Sequence, residues 1–314
     1  MRTDFFFKSG SGARLHGCRW TPDSQVRAVL QIVHGIAEYV ERYDGFANFL
    51  NRQGILVVAE DHMGHGKSIS QGCPQGYFAG GWQTAVDDTY RLTRDTMAEF
   101  RDVPFILFGH SMGSFMARTI LAKYPDSGIT AAVICGTGWQ PAPVLAAGKA
   151  ACALVCRAKG ERAPSPLLQA MAFGTYNRKV VEYPRTPYDW LSRDNSVVNA
   201  YKADPLCGFT PTAGLMRDMM EGIAYIQREE NLAKMGKALP VLFIAGGDDP
   251  VGSYGAGVRT AAEAFRKAGM ERVDVRIYPL CRHELLNEIN REEIMDDVSR
   301  WIDGVLEKIP AAQI

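Results

Sequence analysis

The chain has 314 residues, 46% of them hydrophobic, enough to bury a large core in one catalytic domain carrying an insertion. Its 35 Lys and Arg balance 35 Asp and Glu, so no net field draws it toward nucleic acid or an anionic membrane. Seven cysteines without CxxC spacing fit reduced thiols, and the N-terminal MRTDFFFKSG has no apolar stretch long enough for a signal peptide, so cytoplasmic residence is expected.

From the N-terminus, FFFKSGSGARLHGCRW reads as strand, Gly/Ser turn and strand, an antiparallel hairpin. Short β-branched or apolar runs follow at 28–35, 55–62, 104–111 and 131–138, then at 241–249 and 273–279. Helical spacing intervenes at Phe46, Phe49 and Leu50, at Val258, Ala261, Ala262 and Phe265, and at Ile294, Val298, Trp301, Ile302 and Val305. Strand followed by helix, repeated, predicts an α/β fold with a mostly parallel central sheet and helices on both faces.

The alternation stops across 139–236, where QPAP, RAPSP and YPRTPYD separate short helical pieces and no strand pattern occurs. This predicts a helical cap (139–236) inserted between a first (1–138) and a second (237–314) part of the core. The apolar tract 142–160 is interrupted by Gly148 and Lys149 and reads as a buried or interfacial helix rather than a membrane span. Cys152 and Cys156, one turn apart on it, read as packed small side chains.

Within LFGHSMGSFMARTI an apolar strand passes into a helix through Gly109-His110-Ser111-Met112-Gly113. A serine hydroxyl is a weak nucleophile unless held exposed beside a base and oxyanion donors, and a sharp strand-to-helix turn supplies that exposure. Glycines at 109 and 113 let the two elements approach, and the Met112 N–H sits at a helix N-terminus where negative charge is stabilised.

A serine nucleophile needs a base and an orienting acid, in this fold in the order Ser, acid, His. His283, in YPLCRHELLNE after the last strand, is the only histidine beyond Ser111. FIAGGDDPVG offers Asp248 and Asp249; the spacing favours Asp249, with Asp248 a loop-capping neighbour. The turn after an early strand, QIVHGIAEYVERY, offers the Ile36 N–H as second oxyanion donor, His34 to position the loop, and Glu38 with Arg42 as an i,i+4 pair. Asp61, His62 and His65 in EDHMGHGKS suggest a metal, but the segment lacks the further spaced ligands of a dedicated site and reads as a structural turn.

His34-Gly35 with Glu38 and Arg42-Tyr43, DHMGHGKS, GHSMG, GGDDPV and RHELLNE together resemble the serine aminopeptidase S33-type branch of the α/β-hydrolase superfamily, nearest to monoacylglycerol lipases and bacterial lysophospholipase-like esterases. The resemblance implies a Ser111, Asp249, His283 triad, an oxyanion hole from the Ile36 and Met112 amides, a helical cap, and no metal or organic cofactor. One departure is Ile36, bulky where monoacylglycerol lipases usually carry a small residue; its amide still donates, but the side chain narrows the pocket.

The expected activity is therefore two-step hydrolysis of a small ester or lipid-like substrate, with transient membrane contact through the cap, by a monomer or dimer. Leu215, Met216, Met219, Met220, Ile223 and Ile226 form a helical stripe that either packs on the core or, through Met216, Met219 and Met220, lines an acyl pocket. An aminopeptidase would instead need a cap carboxylate for the substrate ammonium, with Glu161, Glu182, Asp189, Asp194, Asp204, Asp218 and Glu221 as candidates. A non-catalytic receptor on the same scaffold is the remaining alternative; an intact triad argues against it.

Overall fold

The computed structural model describes residues 1–180 and 182–309. The hairpin is β1 (Arg2–Lys8) and β2 (Arg14–Trp20). The first half of the core continues through β3 (Ala28–Val33), α1 (Asp44–Asn51), β4 (Ile55–Glu60), α2 (Gly81–Glu99), β5 (Phe105–His110), α3 (Met112–Lys123) and β6 (Ala131–Cys135). Between β6 and β7 the chain is helical: α4 (Ala142–Lys159), α5 (Pro166–Phe173), α6 (Asn195–Ala203), α7 (Ala213–Ile226) and α8 (Glu229–Leu232). It closes with β7 (Val241–Gly246), α9 (Ala256–Lys267), β8 (Val273–Tyr278) and α10 (Arg291–Leu306).

The strands form one sheet in the order β1-β2-β4-β3-β5-β6-β7-β8, parallel from β4 to β8 and antiparallel at the hairpin. β3, β4, β5, β6 and β7 are buried along their whole lengths, as expected of parallel strands covered on both faces. Val29 and Val33 join α2, α3, α7 and α9 in one core layer, while Leu30 and Ile32 join α1 and α10 in the other. The period-two alternation of a single strand thus feeds two cores.

After β3 the chain moves to β4 on one side, and after β5 to β6 on the other. That reversal opens a crevice at the carboxyl ends of β3 and β5, where open α/β sheets bind ligands. The turn after β5 carries Ser111, and the turn after β3 carries Ile36.

Candidate active site

Ser111 sits between β5 and α3 at φ 53°, ψ −120°, a conformation that L residues rarely adopt. The surroundings enforce it. A Cβ on Gly113 would lie 2.0 Å from the Val33 carbonyl oxygen, and one on Gly109 would lie 2.5 Å from the Gly113 oxygen. Both glycines are needed for contact between strand and helix. The Ser111 amide donates to the Cys135 oxygen at 3.0 Å, tying the elbow to β6.

Asp249 and His283 come from the turns after β7 and β8. His283 Nδ1 lies 3.0 Å from Asp249 Oδ2, and the other carboxylate oxygen accepts the Val251 amide at 2.9 Å. Asp249 is fully buried and His283 nearly so. With Nδ1 engaged, Nε2 is the nitrogen left to face the cavity that Ser111 lines. Asp248 bonds through its backbone amide to Cys281. Burial alone disfavours the imidazolium, but the charge and hydrogen bond of Asp249, backed by Glu284 and Glu38, outweigh it and raise the His283 pKa. If His283 accepts a proton in the reaction it must start neutral, and kcat/KM is then expected to fall with decreasing pH through a midpoint above the ordinary histidine value. Asp249→Asn moves that midpoint down and cuts the rate by roughly 10⁴; a pH–rate profile of both proteins checks it.

The turn after β3 is held from three sides. Gly35 N donates to Glu38 Oε1 at 2.6 Å, which leaves the next amide, Ile36 N–H, without a hydrogen bond among the described residues. A Cβ on Gly35 would stand 3.0 Å from Ser111 Cβ, so this backbone lies against the elbow. From the helical segment, Gly208 N and Tyr201 Oη donate to the Ala37 oxygen at 3.0 and 2.9 Å. His34 stacks on His62 with ring centroids 3.9 Å apart, and its Nε2 accepts the His62 amide at 3.0 Å; burial and the neighbouring histidines keep it neutral.

Arg42 donates to Glu38 Oε2 at 3.0 Å, the expected i,i+4 contact, and also forks onto both oxygens of Glu284 at 2.7 Å. All three groups are buried or nearly so. One guanidinium thus clamps the turn after β3 to the residue following His283. Burial and Glu284 push the Glu38 carboxyl up despite Arg42, while Arg42 overrides burial to hold Glu284 below its usual range.

Ser111 and His283 open into a cavity of about 860 Å³ walled by α4, α5, α7, Tyr176, Asn177 and residues 187–188 and 190–191. Met216, Met219, Met220 and Ile223 line it, whereas Leu215 and Ile226 pack into the core on the other sides of α7. Met216 and Met219 thus belong to the buried core and line the cavity at the same time, with Met220 packed against that core. Ile36, Met112 and Phe115 form the floor near Ser111, and no Lys or Arg lines the cavity among the described residues.

The Asp61, His62 and His65 segment does not gather its side chains on one point. Asp61 accepts from the Val40 and Lys67 amides and contacts His16, while His65 Nδ1 faces the Met63 oxygen. None of the seven cap carboxylates considered for an ammonium site lines the cavity. Asp189 binds the Thr186 backbone and hydroxyl, Asp194 caps α6, Asp204 accepts from Tyr39, and Glu161, Asp218 and Glu221 line a separate surface cleft.

Sequence reasoning did not single out Glu284, Trp190 or Tyr176. Trp190 lies 5.0 Å from the His283 ring and Tyr176 lies 4.9 Å from Trp190, making an aromatic wall beside that imidazole. Glu284 carried one signal, a second acid adjacent to the histidine and available to a buried Arg42. The two aromatics carried none, because their position depends on how the helical segment folds back.

The strand order, the crevice and the serine elbow at its centre define the α/β-hydrolase class. The family described as serine aminopeptidase, S33, matches residues 24–290, and the chain belongs to that family. A monoacylglycerol lipase of Mycolicibacterium smegmatis is 30% identical, with 96% of this chain and 97% of that protein covered. The mouse monoglyceride lipase is 26% identical over 91% of this chain and 86% of its own. Among solved structures, a thermostable carboxyl esterase from Bacillus coagulans in complex with glycerol superposes with a TM-score of 0.87 at 28% identity, covering 97% of this chain and 99% of that one.

Proposed function

We propose that this ester-hydrolysing serine hydrolase cleaves monoacylglycerols, with residues 139–236 acting as the cap that selects them. One observation carries the reading: an apolar cavity of about 860 Å³, lined by no Lys or Arg among the described residues, leads to Ser111 and His283. A fatty acyl chain is satisfied by Met216, Met219 and Met220, whose unbranched side chains adapt to it. A neutral glycerol head suits a cavity with no Lys or Arg for a phosphate among the described residues, which favours it over a lysophospholipid head. Glu38 and Glu284, the carboxylates on the lining among the described residues, are both engaged by Arg42 rather than free for a peptide ammonium. The full-length similarity to the mycobacterial monoacylglycerol lipase supports the same substrate class.

In this reading Ser111 is the nucleophile, His283 the general base and acid, and Asp249 the group that keeps the imidazole in its productive tautomer. The Ser111 hydroxyl closes on His283 Nε2 as substrate enters, a contact that commonly tightens only in the complex. Ser111 Oγ attacks the ester carbonyl and its proton passes to His283. The resulting oxyanion is received by the Ile36 and Met112 amides, each donor worth about 3 kcal/mol. Collapse breaks the acyl C–O bond as His283 protonates the leaving glycerol, and water repeats the sequence on the acyl-enzyme. Val144 and Met171, which line the cavity, are also exposed, as are Leu154 and Leu167 on the same helices, so α4 and α5 can touch a lipid surface transiently while substrate enters. No helix among the described residues is long and apolar enough to cross a membrane. All seven cysteines are unpaired, which supports work in a reducing compartment such as the cytoplasm.

Initial rates on nitrophenyl esters from acetate to palmitate, on monoacylglycerol, on lysophosphatidylcholine and on an aminoacyl anilide test the proposal. Monoacylglycerol and medium or long esters are expected to be turned over fastest; preference for the anilide or the lysophospholipid overturns the reading. Met220, half-buried against the position of a Gly148 Cβ, provides a second test. Met220→Trp fills the acyl wall, and each methylene denied its place costs about 0.8 kcal/mol, roughly fourfold in kcat/KM. The optimum is expected to move to shorter chains with acetate hydrolysis unchanged.

A further inference from the structure

The register of β1 on β2 sets Asp4 opposite Cys18 and Phe6 opposite His16. Strand side chains alternate with period two, so Asp4, His16 and Cys18 share one face of the hairpin. There Asp4 Oδ2 lies 3.2 Å from His16 Nε2, Asp4 Oδ1 lies 3.5 Å from Cys18 Sγ, and Cys18 Sγ lies 3.8 Å from His16 Nε2. Those separations suit a tetrahedral centre. With zinc bonds of about 2.3 Å to sulfur and about 2.0–2.2 Å to nitrogen and oxygen, neighbouring ligand atoms stand about 3.4–3.6 Å apart.

The ring is also oriented for the task. His16 Nδ1 is held at 2.7 Å by Oδ2 of the buried Asp61, which directs Nε2 at Asp4 and Cys18. A carboxylate behind a histidine is the usual second partner of a metal-binding imidazole. His16 and Cys18 are buried, while the Asp4 side chain is 37% exposed and gives the group an opening to solvent.

We propose that Asp4 Oδ, His16 Nε2 and Cys18 Sγ bind a divalent transition metal ion of the zinc class, with solvent in the fourth position. Lys67 Nζ, 3.0 Å from Asp4, and Arg2 Nε, 3.7 Å from it, are the cations that the metal displaces. Each retains another carboxylate: Lys67 keeps Glu41 at 2.8 Å, and Arg2 keeps Asp44 at 2.9 Å. Binding replaces two protons by the metal, the Cys18 thiol proton and the His16 Nε2 proton that faces Asp4, and releases both to solvent while Nδ1–H stays on Asp61. The ion takes no part in ester hydrolysis. Asp61 also accepts the Val40 and Lys67 amides at 2.9 Å, so an occupied site fastens the N-terminal hairpin to the segment that leads out of the turn after β3.

Titration of the full-length protein with cobalt(II), followed by absorption, tests this. One equivalent is expected to produce a sulfur-to-cobalt charge-transfer band that zinc abolishes by displacement, and zinc is expected to raise the melting temperature. Cys18→Ser removes the band. Asp4→Asn, a near-isosteric change at an exposed position, weakens binding at least about tenfold and shrinks the thermal shift by zinc while ester hydrolysis stays at the wild-type rate. Absence of a band at one equivalent overturns the site, as does a band that survives Cys18→Ser and so belongs to another cysteine.

Discussion

Ser111→Ala is expected to abolish turnover of monoacylglycerol, with kcat falling by roughly 10⁴ to 10⁶ and binding of substrate retained. Ser111 makes no side-chain hydrogen bond among the described residues, and alanine meets the same backbone strain, so the melting temperature stays at the wild-type value. Ser111→Gly separates strain from chemistry. At φ 53°, ψ −120° glycine relieves about 1–3 kcal/mol of strain and gives back about 0.4–1 kcal/mol through a more flexible unfolded chain. The glycine variant is thus expected to be equally inactive and about 1 kcal/mol more stable than the alanine variant. Denaturant unfolding of the pair, beside a rate assay, checks both statements; residual activity near wild type in either variant removes Ser111 from the mechanism.

Arg42→Ala carries the largest expected loss of stability. Its guanidinium neutralises Glu38 and Glu284, whose side chains are only 4% and 5% exposed. Removing one partner of a buried pair strands the other charge and costs roughly 3–5 kcal/mol, or roughly 5–8 °C in melting temperature for a chain of this size. Activity is expected to fall as well, because Glu38 positions the Gly35 amide beside Ser111 and Glu284 follows His283. Arg42→Lys recovers only part of both, since a point ammonium cannot fork onto Glu284 while holding Glu38. Thermal melts together with kcat/KM for all three proteins measure the effect; an Arg42→Ala variant as stable as wild type shows that the clamp is dispensable.

Much of this molecule was legible from spacing. The core strands could be read because parallel strands buried on two faces are near-continuous apolar runs, and α1, α9 and α10 because their apolar residues recur with helical period. α2 was not read: its sequence GWQTAVDDTYRLTRDTMAE mixes threonines and charges through the buried stripe, where Thr96 is buried and Thr89 and Thr93 bond within the helix and to side chains of β4 and β3. The Ser111 elbow was legible because the glycine requirement is local, set by a Cβ that would collide with Val33 or Gly113.

By itself, then, the sequence determined the order of elements, the serine turn, the histidine loop and the interruption by a helical segment. These rest on short-range geometry, in which a residue's neighbours along the chain dictate its conformation. Only the tertiary structure decided that Arg42 serves Glu284 as well as Glu38, that the cap carboxylates avoid the cavity, that Trp190 and Tyr176 stand beside His283, and that Asp4 meets His16 and Cys18. Each of those depends on strand register or on the return of a segment from far along the chain, and pairings of that kind are fixed by packing rather than by local periodicity.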